Sequence, residues 1–327
     1  MTPLYGHDVA VAAFRDRLDS GRLHHAWLIS GPEGVGKASF AAKAALRVLA
    51  EGQGRVDAPG LDVQDEHPAA RLVAAGSHPD LMKLERLVKD NGDLARSITV
   101  DQVRGLQRLF ATTASMSPWR VVIIDAIDDL ERPAANALLK NLEEPPPHSL
   151  FLLVSHASER LLPTIRSRCR QLRLSLLGDD AMASALKAAV PDATPAELAD
   201  LKVAGQGSPG RALAFRGLDI AALDKAMTGL AREGDPTNAR RAALAQSLAL
   251  KSAQPRYEAF LARAPSLIAA EAKRRRGPAL AEALGLWERA QALASSARGL
   301  SLEPESVAFE LAGMLAALAP AETAGRP

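Results

Sequence analysis

Residues 31–38 read Gly-Pro-Glu-Gly-Val-Gly-Lys-Ala, and this stretch restricts the possible folds more than any other. An apolar run, Ala26–Ser30, precedes it, and a helix-forming run, Lys37–Ala50, follows it. Strand, glycine-rich turn, lysine and helix together make the frame of a phosphate-binding loop. Glycines let backbone N–H groups converge on phosphate oxygens, the lysine reaches the terminal phosphates, and the helix N-terminus adds its positive end. Gly31, Gly34, Gly36 and Lys37 are therefore the expected nucleotide-binding residues. The pattern breaks at its last letter. Where G-x-x-x-x-G-K-[ST] carries a hydroxyl for Mg²⁺, this chain has Ala38. Ser39 is no substitute, because one residue further along a helix points about 100° away.

The loop sits within an alternation of strands and helices. Apolar runs at Ala26–Ser30, Asp80–Glu85, Arg120–Asp125, Leu150–Ser155 and Gln171–Ser175 read as strands. The third and fourth are almost continuously apolar, as strands buried on both faces of a parallel sheet are. Helical patterns lie between them at Lys37–Ala50, at Asp101–Phe110 with Val103, Leu106 and Phe110 on one side, and at Ala134–Leu142. Such βαβ alternation predicts an α/β P-loop domain with a parallel sheet over residues 1–175. Within it, residues 51–78 are rich in Gly, Pro, Asp and Ala, lack periodicity, and read as an inserted loop.

After Ser175 the strands stop. "TPAELADL" opens a helix by rule, with Thr194 as N-cap, Pro195 at the first helical position and Glu197 three residues on from the cap. "GQGSPG" (Gly205–Gly210) breaks the chain before another helix, so residues 176–216 read as a small helical lid domain. From Leu218 to Leu318 about five Ala/Leu-rich amphipathic helices follow, broken near "GDPT", "SAQP", "RRRGP" and "GLSLEP". Residues 217–320 are expected to form an all-α bundle. Hydrophobic residues make up 47% of the 327, enough to fill two or three separate cores.

A P-loop site needs an acidic residue at the end of a neighbouring strand, and "VVIIDAIDD" supplies Asp125. In P-loop ATPases of the AAA+ type the next residue is commonly Glu, which orients the attacking water; here it is Ala126. The Mg²⁺ hydroxyl and the catalytic carboxylate are thus both missing. Phosphoryl transfer depends on metal placement and an oriented nucleophile, so hydrolysis at this site is expected to be negligible. Asp128 and Asp129 are poor stand-ins, because the strand end sets the geometry. The glycines and Lys37 could still hold phosphates, which leaves open whether ATP or ADP binds; no cofactor is required.

"GRLHHAWLISGPEGVGKA", "AANALLKNLEEPP", "LLVSHAS", "LLPTIRSRCR" and "GSPGRAL" occur in this order. As a set they resemble the AAA+ subunits of the bacterial DNA polymerase III clamp loader, strongly from Gly6 to about Leu213 and weakly across the helical tail. The resemblance implies a sensor-1 role for Ser155, a sensor-2 role for Arg211, and an arginine finger at Arg168 reaching a neighbouring subunit's nucleotide. A planar, permanently charged guanidinium suits that task because it neutralises transferring phosphoryl oxygens. The resemblance further implies a component of the DNA-directed DNA polymerase holoenzyme that helps load the sliding clamp onto primed DNA. Its partners would be ATPase subunits of the gamma/tau type, a delta-type subunit and, through the complex, clamp and primer-template DNA. The helical tail would be the oligomerisation collar. The alternative is an ATP-hydrolysing subunit of that loader, or a related AAA+ replication-repair ATPase. Many members carry a cysteine-rich zinc module near residues 51–78. This chain has one cysteine, Cys169, so His67 and His78 cannot complete a four-ligand site and no metal is expected.

The remaining features take plainer readings. Net charge is only +2, which does not suggest a protein that coats nucleic acid. A single cysteine, a start that lacks an apolar signal core, and the absence of any uncharged apolar run of about 18 residues point to a cytoplasmic protein with no membrane span. Cys169 lies between Arg168 and Arg170 but has no evident base, so packing is expected of it. Lys273–Arg276 reads as a solvated helix end, with cations placed well near a C-terminus. Trp119 and the His24–His25 pair are expected to pack or hydrogen-bond.

Overall fold

The computed structural model describes residues 3–320 apart from 91, 112 and 301. Five strands form one sheet: β1 (Ala26–Ser30), β2 (Leu81–Glu85), β3 (Arg120–Asp125), β4 (Ser149–Ser155) and β5 (Arg170–Arg173). Their order across the sheet is β2-β3-β4-β1-β5, and every neighbouring pair is parallel. This is the expected α/β class, with strand ends within two residues of the sequence expectation. In a parallel sheet all C-terminal strand ends share one edge. Register aligns Ser30 with Ser155 and with Arg173, Asp125 with Val154, and Glu85 with Asp125. The loop after β1, the acid ending β3 and the serine ending β4 therefore meet on that edge, where α/β sheets bind ligands.

β1 and β4 are buried at every position because helices cover both faces. On one face Leu28, Phe151 and Leu153 pack with α4 (Val100–Arg104), α5 (Leu106–Ala111) and α6 (Arg132–Glu143), whose Val103, Leu106 and Leu138 join the same core. On the other, Trp27 lies 4.9 Å from Phe14 of α1 (Asp8–Asp19), and Phe14 meets Phe40 of α2 (Lys37–Glu51) edge-on at 6.1 Å. Strand alternation sends neighbouring residues into opposite cores. The single helix expected at Asp101–Phe110 is two, separated at Gly105. A Thr99/Gln102 capping box starts α4 one turn before the glycine, which is a poor helix former.

Residues 52–78 are more ordered than an inserted loop. They contain α3 (Pro68–Ala74), whose N-cap is His67: the Ala69 N–H donates to its Nδ1 at 3.1 Å. The segment is organised by Arg47 of α2. That guanidinium, 4% exposed, donates to the carbonyls of Ala58 (2.8 Å), Asp62 (2.7 Å) and Val56 (3.2 Å), and its Nε donates to Glu51 at 2.7 Å. Lys43 pairs with the Asp62 carboxylate. A small apolar cluster of Leu46, Ala50, Val56, Ala69 and Ala70 sits beside these contacts. Polar bonds from α2 hold this segment to the domain.

The chain divides into two compact units. One holds the described residues up to Thr194 together with Gly205–Arg211; the other holds Pro195–Ala204 and the residues from Ala212 onward. Within the segment read as a lid, α7 (Pro163–Arg166) having preceded it, α8 (Asp179–Ala189) belongs to the first unit and most of α9 (Pro195–Gly205) to the second. The boundary then falls inside α10 (Pro209–Ala214). Beyond it come α11 (Ile220–Glu233), α12 (Ala239–Ala249), α13 (Gln254–Ala272), α14 (Pro278–Leu300) and α15 (Pro304–Ala316), with breaks at the four Gly/Pro-bearing stretches expected. Leu223, Leu230, Phe260, Ile268, Leu311 and Leu315 are among the residues of their common core. Arg263 is held within this unit by the Asp224 carboxylate and the Ala204 carbonyl (2.7 Å), with its guanidinium over the Phe215 ring.

Candidate functional site: a P-loop without its metal side chains

The loop after β1 has a phosphate cradle's backbone. Gly31, Gly34 and Gly36 all have positive φ (146°, 75° and 102°), a region that L side chains avoid. A Cβ at Gly31 would stand 2.2 Å from the Leu174 carbonyl oxygen, and one at Gly34 would stand 2.5 Å from Ser208 Oγ. Gly36 is the N-cap of α2 and offers no side chain to its first turn, so those N–H groups keep the anion-binding capacity of a helix start. Lys37 is buried, and its Nζ donates to the carbonyls of Gly31 (2.8 Å) and Pro32 (2.7 Å). Burial holds its pKa below the ordinary lysine value, opposed by the nearby carboxylates of Glu33, Asp128 and Asp125. The glycines, Lys37 and the helix start fit a phosphate chain.

The metal side does not fit. Ala38 is exposed at the start of α2 with no hydroxyl to offer, and Ala126, 3% exposed, puts a buried methyl where a water-orienting carboxylate would stand. Asp125 ends β3, with Lys83 Nζ 4.0 Å from its carboxylate. Asp129 is paired with Arg86 (3.1 Å). Asp128 is committed elsewhere: it accepts Ser155 Oγ–H (2.9 Å) and the backbone N–H groups of His156 (2.8 Å) and Ala157 (3.2 Å). A carboxylate holding three donors is a fixture of the β4 terminus, and it ties Ser155 down beside the loop. Asp128 is the residue that sequence reasoning set aside. A second aspartate three past Asp125 marked it, but its partner lies 27 residues away.

The "GSPGRAL" segment meets the loop directly. Ser208 Oγ donates to the Glu33 carbonyl (2.8 Å), the Gly210 N–H donates to the Gly34 carbonyl (2.9 Å), and the Arg211 N–H donates back to Ser208 Oγ (3.3 Å). Gly210 is required there, because its Cβ would stand 2.7 Å from Gly34 Cα. His7, buried, also bonds to the loop at the Val35 carbonyl (2.7 Å). Lys37, Asp125, Ser155 and the backbone of Arg211 therefore gather around one loop.

Arg168 belongs to a different constellation. It follows α7, which forms a short turn of helix after β4. Its Nη2 pairs with Glu143 Oε1 at 2.8 Å, and its Nη1 donates to the Thr164 carbonyl (2.9 Å) and lies 3.4 Å from Ser167 Oγ. Arg166 and Arg170 are exposed, the latter over the Trp27 ring at 5.3 Å. Burial pushes the Cys169 thiol up to about 12, so little thiolate forms at neutral pH.

The other residues singled out have local partners. His78 is buried, accepts the Asp80 N–H (3.2 Å), and has its pKa lowered by burial. His24 and His25 stack at 4.4 Å, with His25 bonded to the Leu142 carbonyl. Trp119 meets His148 edge-on at 5.6 Å. In the stretch Lys273–Arg276, Arg274 pairs with Glu271 (2.9 Å) and Arg275 bonds to the Leu318 carbonyl. No group of three or more metal-ligating side chains occurs among the described residues.

A glycine cradle after the fourth strand in sheet order, with Asp125 and Ser155 on adjoining strand ends, defines a P-loop α/β domain that has Ala38 and Ala126 at the positions of the metal hydroxyl and the water-orienting carboxylate. Residues 6–177 match the family described as DNA polymerase III, delta subunit, and the chain belongs to that family. It resembles delta-prime subunits of that polymerase. The one from Pseudomonas aeruginosa is 38% identical over 196 residues, covering 60% of this chain and 57% of the relative. The one from Haemophilus influenzae is 36% identical over 180 residues, 55% of this chain and 50% of the relative. A tau/gamma subunit of Haemophilus influenzae is 32% identical over 228 residues, 68% of this chain and 31% of the relative. The chain thus spans roughly half the length of the delta-prime relatives it matches.

Proposed function

We propose that the chain is a subunit of the DNA polymerase III clamp loader that does not hydrolyse ATP and instead supplies Arg168 to the ATP site of a neighbouring gamma/tau-type subunit. The observation carrying this reading is the asymmetry of its own site. The phosphate cradle is complete, but the positions that place Mg²⁺ and water are Ala38 and Ala126. A guanidinium, that of Arg168, meanwhile stands part-exposed just after the short helix α7, paired with Glu143 and not with the cradle. Mg²⁺, where such a site held it, would neutralise charge on the phosphates, and Ala38 and Ala126 offer it no oxygen here. In this chain Lys37, the glycines and the α2 start can only hold phosphate oxygens, and Asp128 and Ser155 keep the adjoining strand end fixed. An arginine supplied from outside an active site stabilises transferring phosphoryl charge and is worth roughly 10³–10⁵ in rate.

In this reading the helical unit from Ala212 onward joins the chain to its neighbours in the collar, and the assembled complex, including a delta-type subunit, places the sliding clamp on primer-template DNA. The work is cytoplasmic; no described helix is long and apolar enough to cross a membrane. The purified chain, assayed alone with Mg²⁺-ATP, is expected to show no turnover above background. A rate near 1 s⁻¹, ordinary for an enzyme, that vanishes in Lys37→Ala would instead make it a hydrolysing subunit.

A further inference from the structure

We infer that Glu143 is a positioning residue for Arg168: it holds the guanidinium with its remaining N–H groups turned outward, ready for the phosphates of a neighbour. The inference rests on the proposed finger role of Arg168 and adds to it a residue that role does not name. Glu143 is the last residue of α6, followed by Glu144 and three prolines. Helix energetics disfavours a carboxylate there, because the C-terminal turn carries the negative end of the helix dipole; Lys140 is the residue in that turn which suits it. Nor does stability explain the pair. Arg168 is 34% and Glu143 47% exposed, and ion pairs this open contribute little to folding.

Geometry gives the pair a different use. Arg168 is gripped from two elements at once, by Glu143 Oε1 from α6 (2.8 Å) and by the Thr164 carbonyl from α7 (2.9 Å), with Ser167 Oγ at 3.4 Å. Arginine has five N–H donors in a planar fork. The bonds from Nη2 to Glu143 and from Nη1 to Thr164 fix the plane of the fork, and the side chain remains part-exposed. A free arginine would have to surrender its rotamers each time it met a nucleotide, and that ordering cost subtracts from the stabilisation it delivers. Arg170, two residues on, is steered differently, lying over Trp27.

The test uses the assembled complex with clamp and primed DNA, reconstituted with wild type, Glu143→Ala, Glu143→Gln, Arg168→Ala and the Glu143→Ala/Arg168→Ala double variant. Glu143→Ala should lower stimulated kcat for ATP about three- to tenfold, the penalty of freeing one long side chain, with KM and assembly unchanged. Glu143→Gln, which keeps an oxygen acceptor, should lose less. In the Arg168→Ala background, Glu143→Ala should change nothing, an effect that a merely structural carboxylate would not show. If Arg168→Ala reduces the rate but Glu143→Ala does not, or if Glu143→Ala costs the same in both backgrounds, the positioning role is overturned and the finger stands. If Arg168→Ala leaves the rate at the wild-type level, the finger reading itself fails and nothing remains to be positioned.

Discussion

Replacing Arg47 by methionine should release residues 52–78 from the α/β domain. The guanidinium is 4% exposed and satisfies three backbone carbonyls of that segment as well as the Glu51 carboxylate. Hydrogen bonds to a charged group contribute roughly 1.5–3 kcal/mol each, and four would sum to more than 6 kcal/mol. Desolvation of the buried cation offsets much of that, so the better guide is the cost of removing one partner of a buried pair, about 3–5 kcal/mol. Methionine keeps most of the apolar stem, which confines the loss to the polar head. If the domain unfolds as one unit, the melting temperature should fall on the order of 6–20 °C, at about 2–4 °C per kcal/mol for a domain of this size. If the segment opens by itself, the cost is capped at its local opening free energy, and protease cleavage within residues 52–67 reports it. Urea unfolding and limited proteolysis together cover both cases. Chelator should leave wild-type stability unchanged, because the bonds that hold the segment come from the Arg47 and Lys43 side chains. Unchanged unfolding together with unchanged cleavage in Arg47→Met would refute the reasoning.

Two further perturbations follow from the site. Asp128→Ala removes the acceptor of Ser155 Oγ–H and two backbone N–H groups; it should cost about 1–3 kcal/mol and raise hydrogen exchange at residues 155–157 in the purified chain, and wild-type exchange there would contradict the assigned role. The Cys169 thiol, raised by burial from 9.0 to about 12, should react with thiol reagents at pH 8 far more slowly than an ordinary thiol, because so little of it is thiolate. Because the folded state holds that proton more tightly, its contribution is fully present below pH 9.0 and is lost as pH rises toward about 12; labelling of folded protein at pH 8 as fast as that of a free thiol would contradict that hold.

Much of this architecture is legible in the sequence, and the failures share a cause. Continuous apolar runs such as those of β3 and β4 reveal buried parallel strands, and Gly and Pro mark each break among α11–α15, because these signals are local. The cradle residues Gly31, Gly34, Gly36 and Lys37 stand in one window and are read together. Helix α1 escapes because only Ala10 and Phe14 of its stripe are buried while Val9 is exposed. Helix α3 escapes because its cap is a histidine and its length is seven residues. The clasp of Arg47 on residues 56–62, the hold of Asp128 on Ser155 and the Glu143–Arg168 pair all join residues that only tertiary structure brings together. A sequence shows each charge and leaves its partner unnamed.

The central claim, that this chain acts on a neighbour's nucleotide and not on its own, meets its most direct measurement in single-site ATP turnover by the loader assembled with Arg168→Ala in this subunit. Turnover at the adjoining ATPase site should fall by a factor on the order of 10³ or more, with assembly and the melting temperature of the isolated chain at wild-type values. Wild-type turnover at that site in a correctly assembled complex would contradict the account.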